Sequence, residues 1–260
     1  MNNKVLLLLA DGMRPDFIPC ENGFVSDFLK NSVYTMKGQT VMPSVTLPCH
    51  MSLFHSVTPD RHGISTNTWT PQVRPVKGIC EVLREAGKKS GFLFDWEELR
   101  DLVRPGNMTY NYFIRGGDYS YGKTMPRITE NVLKCLKENS LDFIFVYFGL
   151  PDDTGHGIGF TSEEYRVSIT SVWDNIKIIK EALPAEYGMI VTADHGGHGR
   201  GHGLDCPEDM TIPIIFNGEV FSKINADKIN DANIIDIAPT ITRAMGVKAD
   251  SDWEGKNLFD

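Results

Sequence analysis

Gly188–Gly203 reads GMIVTADHGGHGRGHG, an apolar run that stops at Ala193-Asp194 and opens into a tail of glycine and histidine. An uninterrupted apolar run of this length predicts a strand buried on both faces. Two other stretches share the layout. Lys4–Ala10 is followed by Asp11-Gly12, and Asp142–Phe148 (DFIFVYF) is followed within a few residues by Pro151-Asp152-Asp153-Thr154-Gly155-His156. The intervening pattern is helical over Thr46–Ser56, Val76–Lys89, Lys123–Asn139, Ser162–Leu183 and Asn233–Met245, with further strands at Phe92–Asp95 and Thr211–Phe216. Strands alternating with helices predict an α/β fold: a three-layer α/β/α sandwich around a mainly parallel sheet. Ligands of such sheets bind beyond the carboxyl ends of the strands. All three polar clusters fall at such ends.

The 260 residues are 41% hydrophobic and 23% charged, and the net charge is −8. Fourteen Phe, eight Tyr and four Trp supply core material, which excludes a disordered chain. No repeat, low-complexity tract or linker divides the sequence, so 1–260 reads as one domain. The acidic balance speaks against a nucleic-acid polymer as partner. It permits a small phosphorylated substrate, because bound cations reverse a local field. Val5–Ala10, the longest apolar run near the N-terminus, is too short for a bilayer span or a signal-peptide core. No membrane partner is therefore expected. The cysteines (Cys20, Cys49, Cys80, Cys135, Cys206) are odd in number and lack CxxC spacing, which suits reduced thiols in the cytoplasm.

Four of the seven histidines, His156, His195, His198 and His202, belong to the strand-end clusters. In the first cluster Asp152 and His156, with Gly155 and Gly157 beside them, read as a loop that turns both side chains onto one ion. The glycine-dense Ala193–Gly203 segment reads as a second loop, wrapped tightly around a metal. Aspartate and histidine donors without cysteine favour zinc, manganese or another first-row ion. A single strand-end Asp is ordinarily a cap and a single loop His is ordinarily solvated; three such clusters at three parallel strand ends argue for a site. Thr46 reads as the N-cap of its helix. A helix N-terminus also attracts anions, and a hydroxyl there beside a divalent cation is a nucleophile at neutral pH.

The segments LLLLADGMRPDF, MPSVTLPCHMSLFHSVTPDRHGI, PDDTGH and TADHGGHGRGHG resemble the alkaline phosphatase superfamily, and within it the nucleotide pyrophosphatase/phosphodiesterase branch. The closing NIIDIAP and GKNL segments resemble its C-terminal helix and tail. The resemblance implies two metal ions, zinc first and manganese as the alternative. Asp11, Thr46, Asp194 and His195 would hold one; Asp152, His156 and a distal histidine the other. His202-Gly203, followed by Ile212-Pro213, suits that last place best, with His198-Gly199 as the rival. Asn67 matches the family asparagine that hydrogen-bonds a phosphoryl oxygen. The implied chemistry is hydrolysis of a phosphodiester or pyrophosphate through a phosphothreonine on Thr46. A phosphomonoesterase or phosphonate hydrolase is the alternative, and a non-catalytic metal-binding module the remote one. A sulfatase would need an Arg after its Cys/Ser-x-Pro motif, which Thr46–His50 lacks.

Two departures concern the substrate. Leu47 stands where the branch often has a base-stacking aromatic, and Cys49 where it often has Asn. The chain is also shorter than most members, leaving a reduced substrate-covering region within 67–125. Three aspartates and an alkoxide against two divalent ions leave the site near neutral, which suits a singly charged diester. A dianionic monoester would draw on Arg61, Arg74, Arg100, Arg104 or Arg115. The aromatics Trp69, Tyr110, Tyr112, Phe113, Tyr119 and Tyr121 are equally readable as pocket lining or as ordinary packing. Arg14 with Asp16 reads as a surface or supporting pair, and His50 as a packed helix residue one turn from Thr46.

Overall fold

A computed structural model describes residues 3–104, 106–138 and 140–259. Its first half runs β1 (Lys4–Ala10), α1 (Gly23–Lys30), β2 (Ser32–Gln39), α2 (Thr46–His55), α3 (Pro59–His62), α4 (Ile79–Glu85), β3 (Ser90–Phe94) and β4 (Tyr110–Phe113). Next come α5 (Gly116–Tyr119), α6 (Tyr121–Glu138), β5 (Phe143–Phe148), α7 (Leu150–Gly157) and α8 (Glu163–Ala182). The chain closes with β6 (Tyr187–Thr192), α9 (Pro207–Met210), β7 (Thr211–Asn217), α10 (Ala226–Asn230) and α11 (Ile237–Ala244). Asn139, the last residue of one expected helix, lies outside the described residues.

The seven strands form one sheet in the order β2-β7-β6-β1-β5-β3-β4. All neighbours are parallel except that β7 runs antiparallel to both β6 and β2. The three strands that end in polar clusters are adjacent at the sheet centre. Their register sets Ala10 beside Phe148 and Leu9 beside Thr192, so the three ends are level. The apolar runs are continuous because both faces are covered: every residue of β5 and β6 is buried. Phe54 of α2 packs edge-on against Phe145, while Ile144, Val146 and Phe148 point to the opposite face. α6, α7 and α8 pack on one another, and α2, α4 and α11 form the other helical layer. This is the expected three-layer sandwich.

Two strands, α1 and the short helices α3, α5, α9 and α10 have no counterpart among the elements expected from sequence. β2 (SVYTMKGQ) is an edge strand of mixed polar and apolar residues, only two of them buried. β4 (YNYF), at the other edge, absorbs Tyr110, Tyr112 and Phe113. Edge strands bury too little to show a continuous apolar run. β3 and β4 both fall within the 67–125 stretch and belong to the sheet. No helix among the described residues is long and apolar enough to cross a membrane.

Candidate active site

Asp11 leaves β1, Asp194 and His195 leave β6, and Thr46 is the first residue of α2. Val45 takes the N-cap position without a side-chain bond, so Thr46 is not the cap that its sequence context implied. Its hydroxyl is turned into the site, 3.2 Å from His195 Nε2. That nitrogen also lies 3.4 Å from Asp11 Oδ1 and 3.4 Å from Asp194 Oδ2.

Asp152 and His156 sit on α7, not on a loop. The i, i+4 spacing puts both on one helix face, with His156 Nε2 3.4 Å from Asp152 Oδ2. Pro151 stands in the first turn, where a missing N–H costs nothing. The glycine at 155, which suggested a loop, answers a packing need: a Cβ there would lie 2.6 Å from the Phe160 ring. His202 joins this pair, its Nε2 3.6 Å from Asp152 Oδ1 and 3.1 Å from His156 Nε2. The His202 ring stacks on His195 at 3.7 Å between centroids, which joins the two groups. His198 lies apart from both, bonded to Asp209.

Two glycines of the 193–203 segment, Gly196 and Gly197, have a similar explanation. A Cβ at Gly196 would lie 2.0 Å from the Glu208 carbonyl oxygen, and Gly203 has φ of 114°. Gly196 thus allows a close backbone approach, as does Gly197 beside the Phe160 ring, and Gly203 takes a backbone conformation that other residues rarely adopt. Gly196→Ala is expected to cost at least about 3 kcal/mol in urea unfolding, since the blocking atom is backbone; an unchanged midpoint would refute this.

Asp11 Oδ1, Asp152 Oδ1 and Asp194 Oδ2 are buried without a hydrogen-bond partner. Burial, with Asp194 and Asp152 nearby, holds the Asp11 carboxyl well above the usual range; burial likewise raises Asp194. The histidines point the same way. His156, His195 and His202 each direct Nδ1 at a backbone carbonyl, of Arg200, Gly196 and Ser44. A carbonyl can only accept, so each Nδ1 carries a proton, and in the neutral ring this leaves the lone pair on Nε2. Burial pushes the His202 imidazole down to about 4 and lowers His195 as well, keeping both neutral. Converging lone pairs and unpartnered carboxylate oxygens are a costly arrangement that divalent cations would satisfy. Both donor sets therefore fit metal ions.

A model of the family described as Type I phosphodiesterase / nucleotide pyrophosphatase matches residues 5–199. The chain belongs to this family. It is 28% identical over 141 residues to a 2,3-bisphosphoglycerate-independent phosphoglycerate mutase of Clostridium acetobutylicum, covering 51% of this chain and 26% of that protein. It is 25% identical over 225 residues to human ectonucleotide pyrophosphatase/phosphodiesterase family member 7, covering 75% of this chain and 48% of that one. The chain thus spans about a quarter and about half of the lengths of these relatives. Among solved structures, murine ectonucleotide pyrophosphatase/phosphodiesterase 5 superposes with a TM-score of 0.76 at 17% identity, covering 99% of this chain and 100% of that chain. That protein is also recorded as an inactive threonine-to-alanine variant in complex with AMP.

The remaining family positions are legible in the same frame. Asn67 Oδ1 accepts the Leu47 backbone N–H at 2.9 Å, which leaves its amide NH2 group for a ligand. Leu47 itself is fully buried and makes no wall of the pocket. The cavity over Thr46, about 280 Å³, is lined by Asn67, Trp96, Tyr121, Tyr147 and Asp153 together with Asp11, Asp152, His156 and His202. Of the aromatics named from sequence only Tyr121 is there; Trp96 was missed. Arg14 pairs with Asp16 and also donates to the Gly197 carbonyl at 2.8 Å. His50 donates Nδ1–H to the Thr46 carbonyl at 2.8 Å, lies 3.5 Å from Asp194 Oδ2, and packs edge-on against Phe145 and Tyr147. It is both a packed helix residue and a neighbour of the site.

Three supporting groups escaped the sequence reading. The Tyr147 hydroxyl donates to Asp11 Oδ2, and burial beside Asp11 keeps that phenol protonated. Asp95, fully buried past the end of β3, accepts from Thr124 Oγ1 at 2.7 Å and from Gly149 N at 3.1 Å. Asp209 on α9 is treated below. Asp95 carried a usable signal, because it too ends an apolar strand.

Proposed function

We propose that this chain is a metal-dependent hydrolase of phosphodiesters or pyrophosphates, with Thr46 as its covalent nucleophile. The observation that carries the reading is the Thr46 hydroxyl at a helix N-terminus, 3.2 Å from His195 Nε2, facing unpartnered buried carboxylate oxygens. Asp11, Thr46, Asp194 and His195 would hold one divalent ion, and Asp152, His156 and His202 the other, with zinc as the preferred metal. Bound ions would supply the positive charge that favours the threonine alkoxide and the departing oxygen.

The residues themselves do the rest. Thr46 Oγ forms the bond to phosphorus as the ester oxygen leaves and takes up a proton. Water then breaks the phosphothreonine bond, releasing the phosphorylated product and restoring the hydroxyl. Asn67 donates its amide N–H to a phosphoryl oxygen, and the α2 N-terminus offers its dipole to the same anion. Tyr147 holds Asp11 in place.

Charge supports a monoanionic diester. Among the described residues no Arg or Lys lines the cavity. Arg61 donates to the Arg74 carbonyl, Arg104 pairs with Glu81, and Arg115 pairs with Glu97 and Asp118. A dianionic monoester therefore lacks its extra cation. The AMP complex of the murine relative makes nucleotide esters sensible members of the panel. With zinc supplied, kcat/KM for an aryl phosphodiester is expected to exceed that for the matching monoester by about 10-fold or more. A reversed preference would favour the phosphomonoesterase reading, and zinc-independent turnover of both would sink the metal mechanism.

A further inference from the structure

We propose that Asp209 and His198 are a positioning pair that sets the metal affinity of the distal site by fixing His202; the inference rests on the assignment of His202 above. Asp209 is completely buried, and both its oxygens are committed to the same loop. Oδ1 accepts from His198 Nδ1 at 2.7 Å, and Oδ2 accepts from the Leu204 backbone N–H at 2.9 Å. These contacts flank His202 on either side. The Asp209 carbonyl meanwhile accepts from Gly196 N at 2.8 Å, next to His195. One residue thus holds both ends of the segment that carries two of the site's imidazoles.

The span between the anchors needs such restraint. His198 and Gly201 exchange two backbone bonds of 2.9 Å, and His202 reaches the Ser44 carbonyl at 2.8 Å. Gly199, Gly201 and Gly203 fill most of the rest, and glycine loses the most freedom on ordering. A buried carboxylate is retained only where its partners compensate desolvation, and here the partners are the loop itself. Groups that orient a metal-binding histidine typically change affinity 10–100-fold when removed.

The test titrates zinc into the metal-free full chain against a chromophoric chelator, with thermal unfolding of the metal-free protein alongside. Wild type should take two equivalents, and His202→Ala one; if His202→Ala keeps both, the underlying assignment fails. His198→Ala and Asp209→Asn should each weaken one of the two equivalents about 10–100-fold and leave the other unchanged. His198 is partly exposed, so its alanine variant tests the pair even if Asp209→Asn does not fold. His198→Asn, which keeps an N–H donor near the position of Nδ1, should recover most of the lost affinity. His198→Ala with wild-type affinity at both sites would overturn the proposal. So would a third equivalent lost in Cys206→Ser, whose sulfur lies 4.0 Å from His198 Nδ1, since the trio would then be a metal site of its own.

Discussion

Thr46→Ala is expected to lower kcat for aryl phosphodiesters by about 10⁴-fold or more while the protein stays folded. The hydroxyl makes one side-chain contact, to His195, and caps nothing, so its removal should cost about 1 kcal/mol of stability. Metal and substrate binding lose one donor among several; bond making at phosphorus loses its nucleophile. The loss should therefore fall on kcat more than on KM. Thr46→Ser retains the oxygen and should restore most of the rate. Acid-quenched wild type should carry a phosphoryl group on the Thr46 peptide by mass spectrometry, and the alanine variant none. A variant rate near that of wild type would point to direct attack by water.

The second large effect is on stability. Burial pushes the Asp95 carboxyl up to about 7, well above the ordinary aspartate value, its bonds to Thr124 and Gly149 opposing the shift only in part. A carboxyl raised in the native state contributes stability that is fully present below the unfolded pKa and is lost as pH rises through about 7. From about pH 5 to about pH 8 the loss should amount to roughly 2–3 kcal/mol. Asp95→Asn keeps an acceptor for Gly149 and can reverse its bond with the Thr124 hydroxyl, so it should fold and lack this pH dependence. The buried His55 and His62, pushed down to about 4, act in the opposite sense as pH falls below the usual imidazole range. They are common to both proteins and cancel in the difference. Urea unfolding of the two metal-free proteins across this range measures it, and parallel curves would refute it.

The central strands were legible because burial on both faces leaves an unbroken apolar string that no loop or surface helix needs. β2 and β4 were not, since an edge strand alternates irregularly and borrows its definition from the neighbour it pairs with. The strand-end acids Asp11 and Asp194 could be found from position alone. α7 was misread because glycine normally opposes a helix, and the Phe160 ring that makes Gly155 necessary is a tertiary fact. Asp209 and Tyr147 were beyond reach for the same reason: each is one polar residue in an ordinary local sequence, given its task by what folds against it. His202 was preferred over His198 by resemblance, and the structure brings His202, not His198, beside Asp152 and His156.

The reversed direction of β7 keeps the last loop of the site at one end of the sheet. A parallel successor to β6 would oblige the chain to travel back along the whole sheet before pairing again. Turning round instead keeps every residue from Ala193 to Met210 on the rim where the reaction would occur. His195 and His202 therefore lie within a single connection between two neighbouring strands, and the same turn brings Asp209 back to bond both of its ends.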